Sequence, residues 1–231
     1  MPTDACPACN GTRFIWPEER RAARCGTCFG TGLPPEQALA EYLRLSGFGR
    51  DEIRSALEPW DATYQPRPAD IGWGAQVATA PGDTPRSLVL LGEPGTGKTK
   101  AACMAALTYI DAGGRNLYFA NSPIAVEAVL DERREHNHSR IEGRMGKANL
   151  LILDEVGGES KGFKADMVDR WVLEWHRRET FLIVTSNATD LDQIGDGRVA
   201  SRLAGGLVTL LESPVDYREI RAGQAQRRGA A

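Results

Sequence analysis

The stretch Leu88-Val-Leu-Leu-Gly-Glu-Pro-Gly-Thr-Gly-Lys-Thr99 decides the fold of this 231-residue chain. An apolar run stops at Gly92, a glycine-rich turn follows, and Lys98 opens a predicted helix. Glycines let successive backbone N–H groups point into one concavity, and a helix that begins there adds the positive end of its dipole. The alternative is a simple turn between a strand and a helix. Such a turn would not need all the residues of the phosphate-binding motif, which are all present here. The sequence therefore predicts a phosphate-binding loop between a buried strand and a helix.

This loop predicts ATP and Mg²⁺ as cofactors. The Lys98 side chain is long enough to reach the β- and γ-phosphates, and the Thr99 hydroxyl is a suitable Mg²⁺ ligand. The residues predicted to bind the nucleotide and its metal are Gly92, Glu93, Pro94, Gly95, Thr96, Gly97, Lys98, Thr99, Lys100 and Asp154.

A second apolar run ends in two acidic residues. Asn149-Leu-Leu-Ile-Leu-Asp-Glu155 has four apolar residues in a row, which is typical of a central parallel strand buried on both faces. Asp154 is predicted to bind Mg²⁺, and Glu155 to polarise a water for attack on the γ-phosphate. The alternative is that both side chains merely end a strand in a polar loop. Beside a phosphate-binding loop, the acidic pair favours a hydrolase.

A third apolar run, Phe181-Leu-Ile-Val-Thr-Ser-Asn187, also ends in a polar residue. Ligands of open α/β sheets bind at the carboxyl ends of the strands. Asn187 is therefore predicted to hold the attacking water or to contact the γ-phosphate. The alternative is that Asn187 caps the following helix.

Four of the five cysteines are arranged as two C-x₂-C pairs. Cys6-Pro-Ala-Cys9 and Cys25-Gly-Thr-Cys28 are separated by 15 residues, close to the spacing of a four-thiolate zinc site. Without a visible secretion signal, the pairs favour zinc over disulfides. Four thiolates leave no open coordination position, so the predicted role of the zinc is structural. Cys103 is predicted to be a small buried residue of the helix after the loop.

Composition predicts a soluble, cytoplasmic protein. Hydrophobic residues make up 42% of the chain, no apolar run approaches membrane length, and the amino terminus lacks the features of a signal peptide. The formal net charge is −3, so any binding of nucleic acid must come from local basic patches.

From residue 87 onwards, predicted strands and helices alternate, which indicates a parallel sheet covered on both faces. Predicted strands cover residues 87–91, 116–120, 149–153, 181–185 and 206–211, and predicted helices cover residues 98–111, 122–135, 163–178 and 196–203. The predicted domains are a zinc-binding module (1–33), a helical connector (34–80), an ATPase core (81–220) and a basic tail (221–231). The charged segment 132–148 is predicted to be an exposed loop, with His136 and His138 in solvent.

The three apolar runs and their polar ends together resemble the AAA+ ATPase core. Residues 196–211 resemble the arginine-bearing helix and last strand of bacterial initiators and helicase loaders. The segment Pro214-Val-Asp-Tyr-Arg218 is similar to the terminus of DnaC/DnaI-type loaders and IstB-type transposition ATPases. The resemblance covers roughly residues 60–220, and it implies a five-stranded parallel sheet without a helical lid. A zinc-binding module ahead of the core is similar to DnaI-type loaders.

The resemblance also implies roles for individual residues. Lys98 acts on phosphate, Glu155 is the hydrolytic carboxylate, and Asn187 is the first sensor. Arg202 matches the arginine finger that one subunit offers to the ATP of its neighbour, and Arg198, one turn earlier, is the second candidate. The alternative is that both arginines only interact with the helix dipole.

The function implied first is ATP-dependent loading of a ring-shaped replicative helicase onto single-stranded DNA. The helicase would bind the amino-terminal region, and ATP would drive self-association. One alternative is an IstB-like transposition ATPase that acts on duplex DNA. Another is a nucleotide-binding adaptor without hydrolysis, against which the intact pair Asp154 and Glu155 argues.

Overall fold

The structure is a computed structural model, which describes residues 5–15, 22–62, 68–157, 162–178 and 180–213. The chain divides into two compact units, with the boundary between Ile53 and Arg54.

The first unit contains a small antiparallel ribbon and a helix around a cluster of cysteines. Its elements are β1 (Phe14–Ile15), β2 (Ala23–Arg24), α1 (Pro35–Leu45) and the start of α2 (Arg50–Leu57), which continues into the second unit. The four cysteines of the two C-x₂-C pairs are buried together with Ala38, and Phe29 stacks on Tyr42 with ring centroids 5.2 Å apart. So few apolar side chains make a small core, and a unit of this size usually needs a metal or disulfides to fold.

The second unit is a parallel sheet of five strands in the order β4-β5-β6-β3-β7. The strands are β3 (Ser87–Leu91), β4 (Leu117–Asn121), β5 (Leu150–Asp154), β6 (Phe181–Thr185) and β7 (Leu207–Leu210). All four neighbouring pairs are parallel. Strands β3 and β5 are buried along their whole length, as expected for central strands covered on both faces.

Helices connect the strands and cover the sheet. They are α3 (Trp73–Thr79), α4 (Lys98–Asp111), α5 (Ser122–His136), α6 (Arg140–Met145), α7 (Phe163–Arg177) and α8 (Gly197–Leu203). Short side chains cap three of them: Asn121 accepts a bond from the Ile124 amide of α5, Ser139 accepts one from the Glu142 amide of α6, and Asp196 accepts bonds from two amides of α8. The predicted α/β fold, a five-stranded parallel sheet flanked by helices, is thereby confirmed.

The prediction of an exposed loop at 132–148 was wrong in part. Helix α5 extends to His136, and α6 follows, capped by Ser139 and ending at the buried Met145. Charged side chains of this segment bond to protein groups: Glu142 pairs with Arg133 and accepts the indole N–H of Trp171. His136 and His138 are exposed, as predicted.

Two predicted features lie outside the described residues: the terminus Pro214–Arg218 and the basic tail 221–231. Up to Ser213, the described part of the second unit contains no helical lid after β7. Among the described helices, none combines the length and the apolar character needed to cross a membrane.

Candidate nucleotide and metal sites

The polar residues of the nucleotide site lie at the carboxyl edge of the sheet. Three neighbouring strands end there with Asn121, Asp154 and Thr185, and the loop after β3 begins at Gly92. Asn121 is the register partner of Asp154. Because the strands are parallel, one edge collects side chains that are far apart in the sequence.

The loop between β3 and α4 has the backbone that phosphate binding requires. Gly92, Gly95 and Gly97 have φ values of 136°, 83° and 86°, a region that favours glycine. A Cβ atom at Gly92 would lie 2.2 Å from the carbonyl oxygen of Leu211. Gly97 directly precedes α4. The amides of the first helical turn have no partner within the helix, so they lie next to this loop and are available to bind phosphate oxygens.

Lys98 is buried and its ammonium group bonds to the loop itself. The Nζ atom donates to the carbonyl oxygens of Gly92 and Glu93, both at 2.7 Å. The side chain is therefore folded over the concavity in which phosphates would lie. Lys100 donates to the Glu58 carbonyl at 3.1 Å, which ties the start of the second unit to α4.

Asp154 is 2% exposed and accepts two hydroxyl hydrogen bonds on Oδ1. Thr99 Oγ1 donates at 2.9 Å, and Thr185 Oγ1 donates at 2.7 Å. The Thr99 hydroxyl and the Asp154 carboxylate are hard oxygen ligands, and their direct contact fits a Mg²⁺ site that both residues would hold.

Glu155 is held by its backbone and by its side chain. Its φ of 61° is rare for a residue with a side chain, and such strained conformations cluster at functional sites. Its amide donates to Thr185 Oγ1 at 3.0 Å, and its Oε2 accepts from Asn121 Nδ2 at 3.0 Å. The carboxylate thus directly follows Asp154 in the sequence and has one oxygen occupied by an amide donor.

The third predicted strand contributes one residue that was not expected. Asn187, the predicted residue, lies two residues beyond β6 and is exposed, and the cap of the next short helix is Asp190. Thr185, the last residue of β6, contacts both acidic residues. Asn121 and Thr185 were missed by sequence reasoning, although each ends a strand of the parallel sheet and could have been found by that position.

The two candidate arginines of α8 differ in their surroundings. Arg198 Nη2 and Nε donate to Asp196 Oδ2 at 2.7 and 2.9 Å, and this pairing raises the pKa of Arg198 and lowers that of Asp196. Within the described residues, Arg202 has no carboxylate partner. Arg202 lies near Ser87, at the amino end of β3, whereas the P-loop follows the carboxyl end of that strand. A strand of this length spans about 16 Å.

The four cysteine sulfurs of the first unit form a compact cluster. All four Sγ atoms lie within 4.8 Å of one another, with Cys6 to Cys25 at 3.9 Å and Cys9 to Cys28 at 3.7 Å. A tetrahedral site with zinc–sulfur bonds of about 2.3 Å requires sulfur separations of about 3.8 Å. All four cysteines are free, and these separations are far longer than a disulfide bond of about 2.05 Å. The residues present therefore fit a structural zinc ion.

The thiols of the second pair have opposite pKa shifts. Burial, together with the neighbouring Cys9, raises the pKa of Cys28 to about 11. Burial acts in the same direction on Cys25, but backbone N–H bonds from Cys28 and Thr27 outweigh it and lower its pKa to about 7. Without a metal the Cys28 thiol retains its proton at neutral pH, and a zinc ion would displace it.

Solved structures with this fold include those of a helicase loader, DnaC, and of DnaI. The structure of the DnaC helicase loader has 16% sequence identity and a TM-score of 0.59, with 71% of this chain and all of that chain covered. The structure of DnaI has 17% identity and a TM-score of 0.55, with 74% and 94% covered. At these identities the likeness extends to the fold alone.

Sequence comparison gives the family. An IS21 insertion-sequence ATP-binding protein from Pseudomonas aeruginosa is 30% identical over 101 residues, which are 44% of this chain and 38% of that protein. The chain therefore spans well under half the length of that relative. The family model for IstB-like ATP binding proteins matches residues 74–200. Because this match covers more than half of the chain, from α3 into α8, the chain belongs to the family of IstB-like ATP-binding proteins.

Proposed function

We propose that the chain hydrolyses ATP with Mg²⁺ and uses this reaction to load a ring-shaped helicase onto single-stranded DNA. The observation that carries the hydrolysis is the constellation at the sheet edge, where Thr99 and Thr185 both bond to Asp154, directly before Glu155. A protein that only bound nucleotide would have no use for a second carboxylate beside the metal ligands.

The proposed roles follow from the position of each group. The loop residues 92–100 cradle the phosphates, and Lys98 turns from its carbonyl partners to the β- and γ-phosphates. Thr99 and Asp154 would hold Mg²⁺, and the ion would neutralise negative charge on the phosphates during hydrolysis. Glu155 accepts a proton from the attacking water. Asn187 remains the proposed first sensor, because its side chain faces solvent at the same edge of the sheet.

We assign the arginine finger to Arg202 and place its action in a second subunit. Arg202 lies at the end of β3 opposite to the P-loop of its own chain, so it can reach a γ-phosphate only in a neighbour. Arg198 is neutralised by Asp196 and is the weaker candidate. An arginine supplied in this way stabilises transition-state charge and accelerates hydrolysis by about 10³-fold or more. ATP would thereby link self-association to turnover.

The loader role rests on the first unit. A separate four-cysteine unit ahead of an ATPase core is similar to the arrangement in DnaI-type loaders. We propose that zinc holds this unit, at residues 1–33, and that the unit together with the connector at 34–80 binds the replicative helicase. The core at 81–220 would bind single-stranded DNA when assembled with ATP.

The test is complex formation between the full chain, ATP and the replicative helicase of the same host, measured as mass in solution. A matched variant, Cys6→Ser with Cys25→Ser, removes one sulfur from each C-x₂-C pair and leaves the ATPase core intact. The proposal predicts a discrete complex for the wild type and its loss in the variant, with ATP turnover retained. A complex that survives in the variant would refute the role of the first unit.

A second candidate function is transposition, and the observation that favours it is the sequence relative from IS21. An ATPase of that type would coat duplex DNA and recruit a transposase. Failure to bind the helicase, combined with ATP-dependent filaments on duplex DNA, would favour this function over helicase loading.

A further inference from the structure

A side chain of α7 is bonded to the segment that leads into α8. Asp169, half-buried on α7, accepts the backbone N–H of Asp196 on its Oδ2 atom at 3.1 Å. The other oxygen of this carboxylate lies against Gly195, where a Cβ atom would be 2.4 Å from Asp169 Oδ1. Gly195 has a φ of 60°, in the region that favours glycine. The chain therefore approaches the carboxylate closely just before α8 begins.

The bonded residue, Asp196, also determines how α8 begins. Its Oδ1 accepts the backbone N–H groups of Arg198 and Val199 at 2.9 and 3.1 Å, so one carboxylate caps two open amides of the first turn. Helix α8 has seven residues, and a helix of two turns is not stable by itself in water. Its orientation therefore depends on this cap and on the buried side chains of Val199 and Leu203.

The same contacts separate the two arginines of α8. Arg198 is held within its own subunit by the ion pair with Asp196. Arg202 lies one turn later on the same side of the helix, and within the described residues it has no carboxylate partner. Because both arginines lie on one short helix, any rotation or shift of the first turn also moves Arg202.

We propose that Asp169 is a positioning residue for the arginine finger. By fixing the backbone N–H of Asp196, it sets the start of α8 relative to α7, and thereby the direction in which Arg202 extends towards the ATP of a neighbouring subunit. This inference rests on the proposed function, which assigns the finger to Arg202. A misplacement of about 1 Å can lower a rate about 10²-fold, so loss of the Asp169 contact should be visible in ATP turnover.

Mixtures of variants can locate the defect, because a finger and the ATP site that it serves belong to different subunits. Asp169→Ala removes the acceptor and should lower ATP turnover about tenfold, whereas Asp169→Asn keeps an acceptor oxygen and should recover most of the loss. Mixed in equal amounts with Glu155→Gln, which has an intact finger, Asp169→Ala should reach about a quarter of the wild-type rate. Mixed with Arg202→Ala, it should not exceed the mean of the two variants. Damage to the ATP site of Asp169→Ala itself would prevent recovery in both mixtures.

A control and a second variant accompany Asp169→Ala. Asp166 is an exposed carboxylate one turn earlier on α7, and no described residue of α8 bonds to it. Asp166→Ala should therefore leave turnover near the wild-type value. Gly195→Ala disturbs the contact from the other side, because the added Cβ atom would displace the Asp169 carboxylate. It should reproduce the behaviour of Asp169→Ala in both mixtures, so the test does not depend on the folding of one variant.

Hydrogen exchange in the full chain gives a readout that does not depend on turnover. The amides of Arg198 and Val199 should exchange about tenfold faster in Asp169→Ala than in the wild type, while those of the central strand β5 should be unchanged. Asp169→Asn should keep the wild-type protection. Equal protection of α8 in Asp169→Ala and the wild type would overturn the proposal.

The mixture of Glu155→Gln with Arg202→Ala separates failure of this inference from failure of the proposed function. If that mixture assembles with ATP but does not recover turnover, a finger supplied by the neighbour is wrong, and the role of Asp169 is overturned with it. If it recovers while Asp169→Ala with Glu155→Gln does not, only the role of Asp169 is overturned. Equal recovery of Asp169→Ala with either partner, or wild-type turnover of Asp169→Ala alone, overturns that role as well.

Discussion

Replacing Thr185 by valine removes a single hydroxyl on which both acidic residues of the site depend. Thr185 is 1% exposed, and its Oγ1 donates to Asp154 Oδ1 at 2.7 Å and accepts from the Glu155 amide at 3.0 Å. Valine keeps the branched shape of threonine, so little packing is lost. The change therefore isolates the two hydrogen bonds.

The expected loss of stability follows from these bonds. A hydrogen bond to a charged group contributes about 1.5–3 kcal/mol, and a buried amide without a partner costs about 1–3 kcal/mol. With partial compensation by water at the open edge, Thr185→Val should lower the free energy of unfolding by about 2–4 kcal/mol. Because Glu155 would also lose the anchor of its strained backbone, ATP turnover should fall about 10- to 100-fold.

Ser186→Ala is the matched control. Ser186 is also buried, and its hydroxyl also makes two hydrogen bonds, donating to the Val156 carbonyl at 2.6 Å and accepting from the Ala188 amide at 3.2 Å. Neither partner is an acidic residue of the site. Ser186→Ala should therefore lower stability by a similar amount and leave turnover of the folded fraction near the wild-type value.

The assay combines denaturant unfolding with steady-state ATP turnover at a temperature at which all variants are folded. Thr185→Ser, which keeps the hydroxyl, should recover most of the turnover. If Thr185→Val hydrolyses ATP as fast as Ser186→Ala, the contacts of Thr185 do not position Glu155, and this account of the site is refuted.

Three further perturbations have defined outcomes. Asn121→Ala removes the amide that bonds to Glu155 Oε2, so this oxygen becomes free to accept the proton of the attacking water, and basal ATP turnover should rise. The α5 cap is lost as well, at about 1 kcal/mol, and a turnover below that of the wild type would show that Asn121 positions the base instead. Burial raises the pKa of Asp169, so the ionisation of this side chain opposes folding as the pH rises above about 4. Asp169→Asn should therefore raise the melting temperature at pH 7, and the gain should vanish at pH 4. An equal gain at pH 7 and pH 4 would contradict this reasoning. Removal of zinc by a strong chelator should abolish the ordered structure of the first unit, as measured by hydrogen exchange, without changing exchange in the central strands; protection retained in the first unit would show that the metal is not structural.

Much of the second unit was predictable from local patterns. The apolar runs placed β3 and β6 at the residues found, and the glycine-rich loop with Lys98 placed the start of α4. These elements can be recognised in the sequence because buried parallel strands are continuously apolar and because the loop needs glycine at fixed positions.

The parts that were missed depend on partners distant in sequence. Helix α6 was not predicted because its charged residues are typical of an exposed loop. In the structure, Glu142 of this helix bonds instead to residues of α5 and α7. Asn121 and Thr185 matter only because the strand order sets them beside Asp154, and no pattern within a single strand shows that order.

In the proposed mechanism, Glu155 of one subunit and Arg202 of the next act on the same ATP. The most direct measurement is ATP turnover of Glu155→Gln and Arg202→Ala, each alone and mixed in equal amounts, with mass measurements that confirm assembly with ATP. Each variant alone should be nearly inactive, and the mixture should recover about a quarter of the wild-type rate, since one interface in four then joins an intact finger to an intact site. A mixture that assembles but turns over no faster than the average of the two variants would contradict it.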